Sequence, residues 1–440
     1  DKESFKAAMR AVEKYEPQMY YELKSIENIF YSRPDEKTTA FISRFQQITG
    51  PAMAKGFEDT VLYIFNPLLS LNDVGSMPDE FGVSVDRFHE FNRNRLKTCH
   101  TMNSGSTHDT KRGEDIRARL NVLSEMPEAW FKKVHTWHSL NRKHKQTVNG
   151  SPTPDGNDEY MMYQILTGAQ PPEPYTEDTF SQRLEEYLTK ALREVKVHSS
   201  WVEVNQAYEQ AAANFLEQLT VEGANEKFRR DFEDFWRPVH EYGLIGSCAQ
   251  TLLKMTAPGI PDFYQGTEIW DLNLVDPDNR RQVDYQRNNR LLRDLNDRQA
   301  AGEPGFFEWL FSQRNSGLMK LYIIQKTLQF RNKHKNLFDN GDYVPLETKG
   351  ALKEHLIAFV RIDGDNQVLI VVPRLIRGLV EPGSMPLGES VWHDTRILLP
   401  VGLHRQGTDI LTGEQINLTH EIPVSLLFSK FGLSLVCVLG

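Results

Sequence analysis

A chain of 440 residues is long enough for two or three domains with sizeable cores, and its hydrophobic (39%) and charged (25%) fractions are those of an ordinary soluble protein. The formal net charge of -9 argues against a nucleic-acid surface, which needs clustered Lys and Arg. No stretch is apolar enough to span a bilayer, so neither a nucleic acid nor a membrane is expected as partner. The three cysteines, Cys99, Cys248 and Cys437, lie far apart in apolar contexts. That pattern points to reduced, buried thiols, a reducing compartment and a cytoplasmic location. The charged N-terminus from Asp1 to Lys6 has no apolar run behind it and does not read as a signal peptide. A chain that lacks an initiator Met and opens inside a helical pattern is expected to be a fragment or a processed form.

In chain order, residues 1–50 read as helices, with Phe5, Met9, Val12, Tyr20, Leu23 and Ile26 at helical spacing. Gly50-Pro51 is expected to break that pattern. A charged block, Lys55-Gly56-Phe57-Glu58-Asp59, and a mostly apolar run from Val61 to Leu71 follow. Residues 84–96 read as a helix, and Thr101 to Gly105 as a buried strand leading to Asp109. Residues 116–245 are strongly helical: 129–143, 159–166, 179–193, 201–219 and 227–242 all carry the pattern, broken by two Pro- and Gly-rich loops at 149–156 and 168–174. This stretch reads as an insertion between two successive strands. A helix from about 246 leads to a strand at Ile260 to Tyr264, and Leu318 to His334 is the last helix. After residue 340 the pattern turns to short alternating runs, with strands expected at 356–361, 368–372, 396–399 and 433–438 and turn residues between them.

The segment Ser106-Thr107-His108-Asp109-Thr110-Lys111-Arg112-Gly113-Glu114-Asp115 carries the most chemistry. A His-Asp pair at a strand end would put two polar side chains where a (β/α)8 barrel opens to substrate. Lys111, Arg112, Glu114 and Asp115 could then orient Asp109 and hydrogen-bond sugar hydroxyls. The rival reading is a plain helix N-terminus, with Thr107 or Asp109 as cap and Glu114 in the first turn. Elsewhere, Lys55, Glu58 and Asp59 read on pattern alone as a solvated loop. Asp276-Pro277-Asp278-Asn279-Arg280-Arg281 reads as a Pro-Asp turn. His135, His138 and His144 lack the carboxylate or Cys that would complete a metal-ligand spacing, so no metal is expected. With no phosphate-binding Gly-rich loop and no dinucleotide fingerprint, no cofactor is expected either.

Three long blocks, Phe45 to Thr60, Ser106 to Arg119 and Pro258 to Arg281, resemble in content and order the malto-oligosyltrehalose synthases of the α-amylase superfamily. The resemblance runs over essentially the whole chain. It implies an α/β fold of large helical content: the C-terminal part of a (β/α)8 barrel, a helical insertion domain and a C-terminal antiparallel β-sandwich. The implied division is 1–115 as a barrel segment with a helical insert, 116–245 as the insertion, 246–340 as the last barrel strand and helices, and 341–440 as the β domain. The implied activity is an intramolecular transglucosylation that converts the reducing-end α-1,4 bond of a malto-oligosaccharide to an α,α-1,1 trehalose bond. The implied mechanism is retaining, with a nucleophilic carboxylate and a carboxylic acid. By this resemblance Asp109 is the third carboxylate, which stabilises the oxocarbenium-like transition state, and His108 binds sugar hydroxyls. Lys111, Arg112, Lys55, Tyr264, Glu268, Asp276, Asn279 and Arg280 are expected substrate contacts.

The nucleophile and the acid lie upstream of these motifs in the family, and no such strand end occurs in this chain. The expected partners are therefore an α-glucan and a missing N-terminal barrel half, and the chain alone is expected to be inactive. Two alternatives stay open: a non-catalytic carbohydrate-binding or assembly module, and an α-amylase-type hydrolase.

Overall fold

The computed structural model describes residues 2–97, 101–172, 177–400 and 406–438, with the backbone alone for 177–179. It holds two compact units, Asp1–Tyr63 and Ile64–Gly440.

The first unit is built from α1 (Lys2–Tyr15), α2 (Tyr20–Tyr31) and α3 (Glu36–Pro51). Asp35 caps α3: its carboxylate accepts from the Thr38 amide at 2.7 Å, and the Thr38 hydroxyl accepts from the Asp35 amide at 2.9 Å. Ring pairs Phe5–Phe30, Phe30–Phe45 and Phe41–Phe45 tie the helices together, and Leu23 is buried. The break expected at Gly50-Pro51 does not occur. The chain continues through Ala52–Val61 in a wider, π-type winding and then a single turn, α4 (Leu62–Ile64). Proline removes one amide donor and crowds the carbonyl four residues back. The helix widens past Pro51 instead of ending.

The first long helix of the second unit is α5 (Val85–Arg95), capped by the Ser84 hydroxyl on the Arg87 amide at 3.1 Å. A three-residue strand follows, β1 (Met102–Ser104). The chain then runs through α6 (Glu114–Leu123), α7 (Pro127–Asn141), the short hairpin β2 (Gln146–Val148) and β3 (Ser151–Thr153), α8 (Gly156–Ala169), α9 (Glu177–Val195), α10 (Gln206–Thr220) and α11 (Glu226–Thr256). It returns as β4 (Ile260–Asp262), parallel to β1 with Met102 opposite Ile260 and Ser104 opposite Asp262. Parallel pairing demands a crossover connection, and here the whole helical segment is that crossover.

Several expectations are corrected in this region. The strand expected over Thr101 to Gly105 is shorter and only partly buried, because β4 is its one neighbour among the described residues. The second strand stops at Asp262, before Phe263 and Tyr264. The helix expected from Trp201 starts at Gln206, because Asn205 caps it on the Tyr208 amide at 3.1 Å and leaves Trp201 to Val204 as a loop. The two helices expected over 227–255 are one helix of 31 residues, α11, that carries Pro238 inside it. The division expected at 245–246 falls within that helix. Gly243 lets it press on α6, since a Cβ there would lie 2.7 Å from Arg119 Cγ.

The chain ends in α12 (Tyr285–Ala301), α13 (Phe306–Ser312), α14 (Leu318–Lys333), α15 (Lys335–Asp339) and strands. The strands are β5 (Asp342–Pro345), β6 (Thr348–Lys349), β7 (Leu356–Asp363), β8 (Asn366–Pro373), β9 (Arg396–Leu398), β10 (Gln406–Asp409), β11 (Gln415–Asn417), β12 (Glu421–Pro423) and β13 (Ser434–Val438). They form a six-stranded antiparallel sheet ordered β11-β10-β13-β8-β7-β5 and a three-stranded one ordered β12-β9-β6. Alternation of buried and open positions is expected of a sheet with one wet face. Instead β13 is buried at every position, because both faces of the sheet are covered. Phe359, Ile370 and Leu435 pack with Leu252 and Met319 of α11 and α14, while Val360, Leu369 and Val436 pack with Ile397 of β9 and Ile422 of β12.

Candidate active site

The two segments that follow the parallel strands, 105–115 after β1 and 263–281 after β4, are fastened to each other. The Gly113 amide donates to the Asn273 carbonyl at 2.7 Å, and Arg112 bridges to Leu274. Gly113 permits this contact, because a Cβ there would lie 2.5 Å from the Asp271 carbonyl oxygen. Ser106, buried, donates from its hydroxyl to Asp271 at 2.6 Å and accepts from the Glu114 amide at 2.9 Å. That second bond satisfies the start of α6 from eight residues upstream. The cap expected of Thr107 or Asp109 is therefore not made: the residue before α6 is Gly113, which has no side chain to offer. Glu114 does stand in the first turn.

Between Ser106 and Lys111 the chain forms a turn, braced by the Thr110 hydroxyl between the Thr107 amide at 3.2 Å and the Thr107 carbonyl at 3.1 Å. His108 and Asp109 are exposed on it, and Asp109 lies beyond the strand end instead of in the strand. No side-chain hydrogen bond engages the His108 ring or the Asp109 carboxylate among the described residues. Asn279 holds this turn from the other segment, donating to the His108 carbonyl at 3.0 Å.

The remaining candidates separate into groups. Lys111 and Arg112 are buried, at 2% and 1% exposure. The Arg112 guanidinium donates to the Asn72 carbonyl at 3.1 Å and to the Tyr187 hydroxyl at 2.9 Å, so it is occupied within the fold. Asp276 pairs with Lys190 at 2.6 Å and with Arg280 at 3.7 Å. Burial opposes its ionisation, but Lys190 and then Arg280 and Lys111 hold its carboxyl below the usual range. The structure thus brings His108, Asp109, Lys111, Asp276, Asn279 and Arg280 together. Tyr264 is half-buried just past β4. Glu268 points elsewhere, accepting from Asn288 at 2.7 Å on the wall of a cavity of about 490 Å³ that Arg183, Trp270, Asn273, Arg281 and Asn315 also line. Lys55 belongs to the first unit, exposed and ion-paired with Asp59 one turn on.

Beneath the turn lies a buried charge network that the motif alone does not reveal. Lys320 of α14 contacts Glu114 at 2.7 Å and Asp115 at 2.8 Å, and Lys254 of α11 contacts Glu114 at 2.9 Å. The Asp271 amide and the Ser247 hydroxyl donate to Asp115. Burial would raise the Glu114 carboxyl, but Lys320 and Lys254 outweigh it and hold it at about 2. Burial dominates at Asp271 and pushes its carboxyl up. Glu114 and Asp115 belong to this network. The signal that could have found it is Lys320, a lone cation in the apolar run Leu318-Met319-Lys320-Leu321-Tyr322-Ile323-Ile324. A lysine there must find a carboxylate.

Of the histidines, His138 is 2.8 Å from Glu159. Asp155, Asp158 and His198 bring ligand-type atoms within 4.8 Å of one another. Their atoms are already engaged: Asp155 caps α8 and contacts His198 at 2.8 Å, and Asp158 accepts from the Tyr208 hydroxyl at 2.6 Å. Cys248 and Cys437 are free and buried, as expected, while Cys99 lies outside the described residues. No helix among the described residues is long and apolar enough to cross a membrane.

No protein-family profile matches the chain. A Mycobacterium tuberculosis protein named as a maltooligosyl trehalose synthase is 33% identical over 392 residues, which are 87% of this chain and 45% of that protein. The maltooligosyltrehalose synthase of Arthrobacter ramosus superposes with a TM-score of 0.79 at 30% identity, over 99% of this chain and 51% of its own. The hypothetical maltooligosyl trehalose synthase of Sulfolobus tokodaii superposes with a TM-score of 0.68 at 32% identity, over 91% of this chain and 48% of its own. The chain spans about half the length of these relatives. The three sequence blocks, the fold shared over nearly the whole chain and this identity agree: the chain is similar to the maltooligosyltrehalose synthases over about half of their length.

Proposed function

We propose that the chain is the C-terminal half of a maltooligosyltrehalose synthase and acts with the half it does not span. The reaction is an intramolecular transfer: the reducing-end glucose of a malto-oligosaccharide is released, retained, and rejoined through an α,α-1,1 bond. In this reading β1 and β4 are strands of a (β/α)8 barrel, the helices between them are an insertion, and the strands after residue 340 are a β-sandwich. The nucleophile and the acid belong to the upstream half, and the complete protein works in the cytoplasm. Asp109 supplies negative charge where positive charge develops on the sugar ring, and His108 hydrogen-bonds the hydroxyls beside it. Tyr264 and Arg280 meet the sugar directly. Lys111, Arg112, Asp276 and Asn279, already engaged by protein groups, shape the site from behind.

The observation that carries this is the exposed His108–Asp109 turn. It stands just past the end of one strand of a parallel pair and is held there by the segment that follows the other strand. Such strand ends are where (β/α)8 enzymes place their reacting groups. The test is to incubate the chain with maltopentaose and follow loss of reducing ends, first alone and then with the separately expressed upstream half. The chain alone is expected to be inactive, and the mixture active. Activity alone at the rate of a full-length relative would refute the division of labour. Binding without conversion in the mixture would favour a carbohydrate-binding module, and release of free glucose as the main product would favour a hydrolase.

A further inference from the structure

Asp278 and Asn279 are neighbours with different attachments. The Asp278 carboxylate takes a two-pronged hydrogen bond from Arg183 of α9, Nε to Oδ1 at 2.8 Å and Nη2 to Oδ2 at 2.9 Å. Nη2 also donates to the Leu272 carbonyl at 2.7 Å. Both side chains are more than nine-tenths buried, at 8% and 6% exposure. Two turns further along α9, Lys190 donates to the Asp276 carbonyl at 2.9 Å as well as to its carboxylate. One residue beyond Asp278, the Asn279 amide donates to the His108 carbonyl at 3.0 Å and reaches the Thr107 carbonyl at 3.4 Å. Arg281 also contacts Asp278, at 2.7 Å, but it lies on the same loop and cannot tie that loop to a helix.

A restraint therefore runs from the helical segment, through the loop at 276–281, to the turn that presents His108 and Asp109. A guanidinium fork fixes the orientation of its partner as well as its distance, which an ammonium cannot do. We infer that Arg183, far from every sequence motif of the site, is a positioning residue for the His108–Asp109 turn and acts through Asp278 and Asn279. Its catalytic meaning rests on the proposed function, but the restraint can be measured without activity.

The test is hydrogen exchange read by mass spectrometry on the 440-residue chain and on two variants. Arg183→Lys keeps the charge and removes the fork, and Asn279→Ala removes only the last link. Peptides covering 106–111 are expected to exchange about tenfold faster in both variants, with peptides from β7 and β8 unchanged. Unchanged exchange at 106–111 in both would overturn the inference. So would acceleration in β7 and β8 to the same extent, since Arg183 would then support the fold at large. A second readout uses the enzyme completed by its upstream half: the ratio of free glucose to trehalosyl product, which does not depend on how much enzyme is folded. A loosened turn lets water compete, so Arg183→Lys should raise that ratio about threefold or more. A ratio unchanged despite faster exchange would overturn the positioning role. If the completed wild type makes no trehalosyl product, the proposed function fails, and exchange alone decides whether the restraint exists.

Discussion

At the scale of single residues, Asp109 and Glu114 stand five positions apart and do opposite work. Asp109 is exposed and its carboxylate is unengaged among the described residues, so Asp109→Asn should leave stability within about 0.5 kcal/mol of wild type. In the enzyme completed by its upstream half the same change should lower kcat by about a hundredfold or more, the scale of a lost electrostatic stabiliser. Urea unfolding and a reducing-end assay check the two halves of that expectation, and an active, stable Asp109→Asn enzyme would remove Asp109 from the mechanism. Glu114 is buried between Lys254 and Lys320, which hold its carboxyl at about 2. Its folded value lies below its unfolded one, so the unfolded chain binds more protons as pH falls. The stability from its ionised form is present above about pH 4.5 and is lost progressively toward pH 2. Glu114→Gln should therefore be strongly destabilised at pH 7, with the gap to wild type narrowing steadily from about pH 4.5 toward about pH 2, the window set by the unfolded and folded values. A gap that is constant across those pH values would show that the network does not depend on the charge of Glu114.

At the scale of elements, periodicity located the long helices well. The helices expected over 129–143, 159–166 and 179–193 appear as α7, α8 and α9 with ends shifted by a few residues. The failures came where a neighbour, not the local pattern, sets the outcome. Pro51 reads as a breaker, yet it sits inside continuous helical winding. The strands at 356–361, 368–372 and 433–438 were legible in position but not in surroundings. An isolated apolar run does not say whether one or both of its faces will be covered. Ile370 decides that point experimentally. It is fully buried between Phe359 and Leu435 on the face that meets α11 and α14. Ile370→Ala should destabilise by about 2–5 kcal/mol, the range for truncation of a well-packed core residue. A loss under about 1 kcal/mol, with the denaturant slope unchanged, would mean that face is open in solution.

At the scale of the whole molecule, the C-terminal strands are not self-sufficient. One face of the six-stranded sheet completes its core with Leu252, Met255, Met319 and Ile323 from α11 and α14. Arg361 of β7, fully buried, donates to the carbonyls of Thr256, Phe338 and Gly341 at 3.1, 2.9 and 2.8 Å. Residues 341–440 expressed alone would expose that apolar face and leave the Arg361 guanidinium short of partners, so they should aggregate or bind a hydrophobic dye. A monomeric fragment with a cooperative thermal transition would contradict this. The sequence by itself carried the likeness to the maltooligosyltrehalose synthases in its three long blocks, the helical character of 116–245 and the strand positions after 340, and it singled out His108 and Asp109 as candidates. Those features are local: periodicity, turn residues and motif order are carried by neighbours along the chain. Only the tertiary structure decided that Lys111 and Arg112 are buried, that Ser106, Asp271 and Lys320 join one buried polar network beside the turn, and that Arg183 reaches the 276–281 loop from a distant helix. Each of those outcomes depends on a partner about forty to two hundred residues away, and no local pattern specifies which groups meet when burial forces buried charges and donors to find one another.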